Sequence, residues 1–235
     1  GHILVAESNR VDLARAVLLE NPLNEEAVVL LADAALSADD IAEALAAIDV
    51  VSAPVKPMNL QLARGNLLIR RGDRGGAEAA FLAARTADST SEMPLLALSN
   101  LYRLEGNTEK ADDMLAEASR VAPSGSPAHV ELARHMAATG NVDGAEALLT
   151  RVTGETPANV YAWLTLGRVR VARGRYDEAM AAVDAALKAS PGHPDAILLK
   201  SSLLSAKGQH QAAVEELERL VSQQPRVGAL KYELA

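Results

Sequence analysis

The chain of 235 residues contains no cysteine. That excludes disulfides, thiol catalysis and the usual structural zinc sites, and it suits both a cytosol and a bacterial periplasm. Aromatic residues make up only 3% of it, which excludes a core assembled around bulky rings. No apolar run reaches the 18 or so residues that a membrane span needs, so direct membrane insertion is not expected. No block of like charges forms a tail, and the opening GHILVAESNR lacks the basic, apolar and cleavage regions of a signal peptide. A net charge of −8 counts against nucleic acid, whose phosphates need clustered Lys and Arg. Arg70, Arg71 and Arg74 do cluster around one turn, but without interleaved aromatics they read as solvated turn charges.

Chemistry-bearing motifs are also scarce. There is no His-Glu-x-x-His or Gly-x-Ser-x-Gly, and Gly75-Gly76 lacks the Lys-Ser/Thr of a phosphate loop. His129 and His135 lie six apart and share no helix face, His193 follows a helix-stopping proline, and His210 stands in a turn-proximal packing position. Each reads as a surface or interhelix residue. The chain is therefore read as a non-enzyme, with no catalytic residues, no cofactor and no metal.

What the sequence does have is hydrophobic content of 49%, most of it Ala, Leu and Val, a mixture that favours many thin, closely packed helices. It also has a period. Gly72, Gly106, Gly140, Gly174 and Gly208 are 34 residues apart, and Ala77, Ala111, Ala145, Ala179 and Ala213 follow them at the same interval. Pro123, Pro157, Pro191 and Pro225 keep that register too. Each unit carries two apolar segments of helical period, with the glycine between them and the proline after the second. In residues 159–191 this predicts a first helix over 160–172 and a second over 176–189. Gly174 takes the left-handed turn between them, and Pro191 stops the second.

These residues resemble the tetratricopeptide repeat family. Trp163, Leu166, Gly167, Tyr176, Ala179, Val183, Ala186 and Pro191 match its pattern in order and spacing. The small residue after the Leu position recurs as Ala32, Gly65, Ser99, Ala133, Gly167 and Ser201. The large apolar position of the second helix recurs as Ile48, Phe81, Leu115, Leu149, Val183 and Leu217. The expected organisation over 1–235 is one solenoid: a partial repeat at 9–22, repeats at 25–57, 58–91, 92–125, 126–159, 160–193 and 194–227, and a partial repeat at 228–235. In the first repeat Asp39 replaces the turn glycine, and SAPVKP carries an extra residue. The chain begins and ends inside repeats and reads as cut from a longer array.

The resemblance implies an all-α, right-handed superhelix of about 14 helices, because a lone helical hairpin cannot bury its apolar face and stacked hairpins can. It also implies that the first helix of each repeat lines the concave side, through its second, fifth, ninth and twelfth residues. The fifth is always aliphatic, with Leu96 and Leu164 among them, and reads equally as groove floor or as core. The ninth is Asp33, Asn66, Asn100, Arg134, Arg168 and Ser202, a track running from acidic through amide to basic. Met93 and Tyr161 at the second position read as groove contacts or as half-buried packing residues. The expectation is a groove for an extended peptide or partner helix, with Asn66 and Asn100 bonding its backbone and Arg134 and Arg168 gripping a carboxylate. The clamp of co-chaperones that hold an acidic heat-shock tail needs Lys at a fifth position and is absent.

Three charges, Arg64, Lys200 and Arg170, stand where the family places large apolar residues, so each needs an acidic partner or an exit to water. The repeats resemble bacterial arrays of exopolysaccharide-export, pilus and secretion machinery, which implies a protein-binding scaffold. The alternative is a regulatory or substrate-selecting arm of an enzyme such as a glycosyltransferase, suggested by the Asn66 and Asn100 pair. End-to-end self-association through the cut terminal face is a further expectation.

Overall fold

The computed structural model describes residues 2–51 and 57–223. It divides into two compact units, Gly1–Ala122 and Pro123–Ala235. Among the described residues every regular element is an α-helix. The first unit holds α1 (His2–Glu20), α2 (Glu25–Ala34), α3 (Ala38–Val50), α4 (Met58–Arg71), α5 (Arg74–Ala87), α6 (Met93–Leu104) and α7 (Thr108–Val121). The second holds α8 (Pro127–Ala138), α9 (Val142–Glu155), α10 (Val160–Ala172), α11 (Tyr176–Ala189), α12 (Pro194–Ala206) and α13 (His210–Gln223). The helix predicted over 160–172 and its partner over 176–189 stand at those bounds. The expected extra residue in SAPVKP and the partial repeat at 228–235 lie outside the described residues, apart from Pro57.

Within each unit the two helices of a repeat pack on each other, each second helix packs on the first helix of the next repeat, and first helices touch in succession, as α8 and α10 do. Turn chemistry makes the hairpins. Gly174 has φ +72°. Its amide donates to Val171 O and that of Arg175 to Arg170 O, both at 2.9 Å, the paired bonds of a Schellman stop. Elsewhere the residue after the turn glycine starts the next helix. Asp73, Asn107 and Asn141 each accept from the amide three positions on, satisfying a donor the helix leaves open.

Small and large positions meet inside one repeat. A Cβ placed on Gly65 would come within 3 Å of three atoms of the Phe81 ring, which is wholly buried. Gly167 has more room, with Leu199 Cδ2 at 3.4 Å and Val183 Cγ2 at 3.5 Å from the same imagined atom. Where serine takes this place its hydroxyl reaches the second helix. Ser99 Oγ donates to Ala111 O at 2.8 Å and Ser201 Oγ to Ala213 O at 2.9 Å. The recurrent alanines at 77, 111, 145, 179 and 213 are buried, because helices this close leave no room for a longer side chain.

The first turn departs from the expectation that Asp39 occupies the glycine's place. α2 stops at Ala34 and Asp39 lies in the first turn of α3. The physical cause sits in the next repeat. The Arg70 guanidinium donates to Ala32 O at 3.0 Å and Ala35 O at 2.8 Å, capping the carbonyls that a glycine turn would otherwise satisfy. Ser37 and Asp40 then form a capping box that starts α3. Replacing Arg70 with Ala should cost about 1.5 kcal/mol, the low end of the range for hydrogen bonds to a charged group, since Arg70 is exposed. Amide exchange should accelerate in α2 before it does in α4, while an Arg70→Ala chain with unchanged α2 protection would show the cap to be idle.

The three misplaced charges all find acids. Arg64 pairs with Asp49 at 2.5 Å, and Lys200 with Glu216 at 3.3 Å and Asp184 at 3.4 Å. Arg170 meets Glu146 at 3.2 Å and Glu178 at 3.8 Å. Glu146 is the centre of a network, since Arg173 and Arg175 also reach it, and its side chain is only 14% exposed. Burial opposes its charge, but hydrogen bonds from Arg175 and Arg170 together with their positive charge overcome that and hold the carboxyl below its ordinary value. The network joins α9, α10, the turn after it and α11.

Candidate partner-binding cavity

A cavity of about 380 Å³ opens in the second unit, in the size range of clefts that take a ligand or an anchoring side chain. Three successive first helices line it. α8 brings Pro127, Val130, Glu131 and Arg134, α10 brings Tyr161, Leu164, Thr165 and Arg168, and α12 brings Asp195. Gly125 and Asn159 close it between helices. Asn159 caps α10 by accepting from Ala162 N at 3.0 Å, and its Nδ2 donates to Gly125 O at 2.7 Å. One side chain thus fixes both the start of α10 and the turn ahead of α8.

The floor is aliphatic. Leu164 is 2% exposed and packs among Ala186, Ala196 and Leu199, so the choice between floor and core does not arise: it serves the core and shows one edge to the cavity. Tyr161 is 63% exposed and meets His193 edge-on, ring centroids 5.6 Å apart. It is not the half-buried packing residue that its aromatic character suggested. Met93, on α6 in the first unit, is likewise exposed, at 52%.

The charged walls differ from one another. Arg134 is held by Glu131, one helical turn back, at 2.9 Å. Arg168 and Asp195 have no hydrogen-bond or ion-pair partner among the described residues. Arg134, Arg168, Tyr161 and Leu164 therefore share one site, and Glu131, Thr165 and Asp195 join them unannounced by the sequence reading. Asp195 carried a usable signal, since it stands at the same second position as Tyr161.

In the first unit Asn66 on α4 and Asn100 on α6 are exposed, with Leu96 half-buried one turn before Asn100. Asn100 accepts from Arg103 on its own helix. The repeat signature residues are placed by packing. Gly167 and Ala179 are buried, Trp163 donates from Nε1 to Pro157 O at 2.9 Å, Tyr176 is 40% exposed at the start of α11, and Pro191 is exposed beyond its end. His129 is buried in α8, an interhelix residue. Among the described residues no three His, Cys, Asp or Glu side chains gather as a metal site would require, and no helix is long and apolar enough to cross a membrane.

One tetratricopeptide repeat model matches residues 96–159 and 130–194, and a second matches residues 170–232. The chain belongs to the tetratricopeptide repeat family. Its fold is all-α, of the tetratricopeptide solenoid class. Proteins of this family act as protein-interaction scaffolds and are generally non-catalytic. This tetratricopeptide chain is similar in structure to PilW, a widely conserved type IV pilus biogenesis factor, at 19% identity and a TM-score of 0.65 over 98% of this chain and 99% of that one. It is similar to PilF of Pseudomonas aeruginosa at 17% identity and a TM-score of 0.59, over 71% and 75%. It is also similar to YrrB, a TPR protein with an unusual peptide-binding site, at 22% identity and a TM-score of 0.52, over 85% and 98%. At such identities the likeness is one of fold. No curated protein matches the chain.

Proposed function

We propose that the protein is a non-catalytic scaffold that receives an extended segment of a protein partner in the groove formed by the first helices α8, α10 and α12 of its second unit, with their cavity as the anchoring point. The observation that carries this is the convergence of α8, α10 and α12 on one opening, where an aliphatic floor lies beside an exposed tyrosine and an unpaired guanidinium. An apolar side chain of the partner gains by leaving water there, and a carboxylate nearby gains a charge-assisted bond to Arg168. The groove is largely formed already, so little ordering is lost on binding. Structural likeness to PilW, a type IV pilus biogenesis factor, supports placing this scaffold in a bacterial assembly system.

The test is affinity capture with the full-length protein and with its Arg134→Ala, Arg168→Ala variant. A partner recovered by the former should bind the latter at least about tenfold more weakly, the effect of losing one good charge contact. Equal capture by both would overturn the assignment of this groove.

A further inference from the structure

We infer that the cavity selects a peptide segment in which an apolar side chain lies between one acidic and one basic residue, and that it disfavours a run of acids. This rests on reading the cavity as the partner site and specifies its ligand. Among the described Arg and Lys side chains of the second unit, only Arg168 and Lys188 have no carboxylate within ion-pair reach, and of these two Arg168 lines the cavity. The opposite charge left over in the same walls is Asp195, at the start of α12. The remaining pair, Arg134 and Glu131, already cancels at 2.9 Å.

The cavity is therefore bipolar around its apolar floor. A partner carboxylate on Arg168 places no penalty elsewhere. A second carboxylate has no free cation. It must either face Asp195 or draw Arg134 away from Glu131, leaving that carboxylate uncompensated beside the ligand. Like charges brought together at a protein surface lower affinity and reject wrong partners. Arg134 thus acts as the counter-ion that keeps Glu131 silent, and Arg168 is the sole anchor for an acid. A basic side chain on the other flank of the apolar residue meets Asp195.

A peptide library displayed on phage and panned against the whole chain reads this directly. The wild-type chain should enrich peptides with one acid and one base flanking an apolar residue. Arg168→Glu leaves two negative walls and should enrich bases on both flanks, while Asp195→Lys should enrich acids on both. The double exchange should restore mixed peptides with the order of the two charges inverted. A synthetic copy of the wild-type consensus should bind each single variant about tenfold more weakly. Both positions are exposed, so circular dichroism should show all variants folded. Acid-only enrichment by the wild-type chain, or an enrichment that Asp195→Lys does not alter, overturns the bipolar rule and leaves the groove standing. Enrichment indifferent to Arg168→Glu, Asp195→Lys and Tyr161→Ala alike, or none at all, overturns the groove as well.

Discussion

Gly65→Ala is expected to destabilise the first unit by about 1 kcal/mol even though alanine is the better helix former. The helix-propensity gain is about 1 kcal/mol. Against it stands a methyl group forced closer than 3 Å to the ring of Phe81, and overpacking a filled core costs about 1–3 kcal/mol before any such gain. Phe81 is wholly buried and has only two side-chain torsions, so the ring cannot fold aside and α4 and α5 must part. The matching change Gly167→Ala should be neutral or slightly stabilising, because its methyl would rest at 3.4–3.5 Å from Leu199 and Val183. Urea unfolding of both variants checks the contrast. Adding Phe81→Leu to Gly65→Ala should recover part of the loss, and a double variant no better than the sum of its parts would refute the steric account.

Glu146→Ala is expected to cost the second unit about 3 kcal/mol, since it leaves three guanidinium groups crowded together with their shared carboxylate gone. Arg173 and Arg175 keep Asp143 and Glu178, which tempers the loss, whereas Arg170 is only 17% exposed and depends most on Glu146. The same residue sets a pH dependence. Its folded carboxyl titrates below the ordinary glutamate value, so its contribution is complete above about pH 4.3, the unfolded value, and is lost as pH falls through the lower folded value. Wild-type thermal stability should therefore fall more steeply on acidification than that of Glu146→Ala. Parallel acid limbs in the two proteins would show that the network carries no linked protonation. Because the carboxylate is mostly shielded, the cost should persist in high salt, where exposed pairs such as Arg151 with Glu155 fade.

Much of the fold was legible because three residue types repeat in one register and each has a single physical reason to be there. The glycines allow a backbone that other residues avoid, the alanines admit close helices, and the prolines end them. Helix limits in the 159–191 stretch follow from those three facts alone. The first turn was not legible, because its cap arrives from Arg70, more than thirty residues along the chain, and no local pattern announces a side chain borrowed from the next repeat. Ion pairing was half legible. A charge at an apolar position demands a partner, but which acid answers depends on how hairpins stack: Arg170 meets Glu146 and Glu178, and Lys200 meets Asp184 and Glu216.

The candidate site divides the same way. Ninth-position charges and fifth-position aliphatics pointed to α8 and α10, since both follow from helical spacing. The inequality between Arg134 and Arg168 did not, because it depends on whether a neighbouring carboxylate is near enough to neutralise each one. Glu131 is, one turn back on the same helix. The sequence alone gives the two arginines equal standing.

The fit of Phe81 to Gly65, and of Val183 to Gly167, lies within single hairpins. Gene duplication or excision that breaks at the proline boundaries moves each knob together with its own socket, so only the contacts between repeats, such as the Arg70 cap on α2, must be remade. A crossover at the turn between the two helices would instead hand Phe81 to a stranger such as Ala133, and selection should have left few traces of such exchanges.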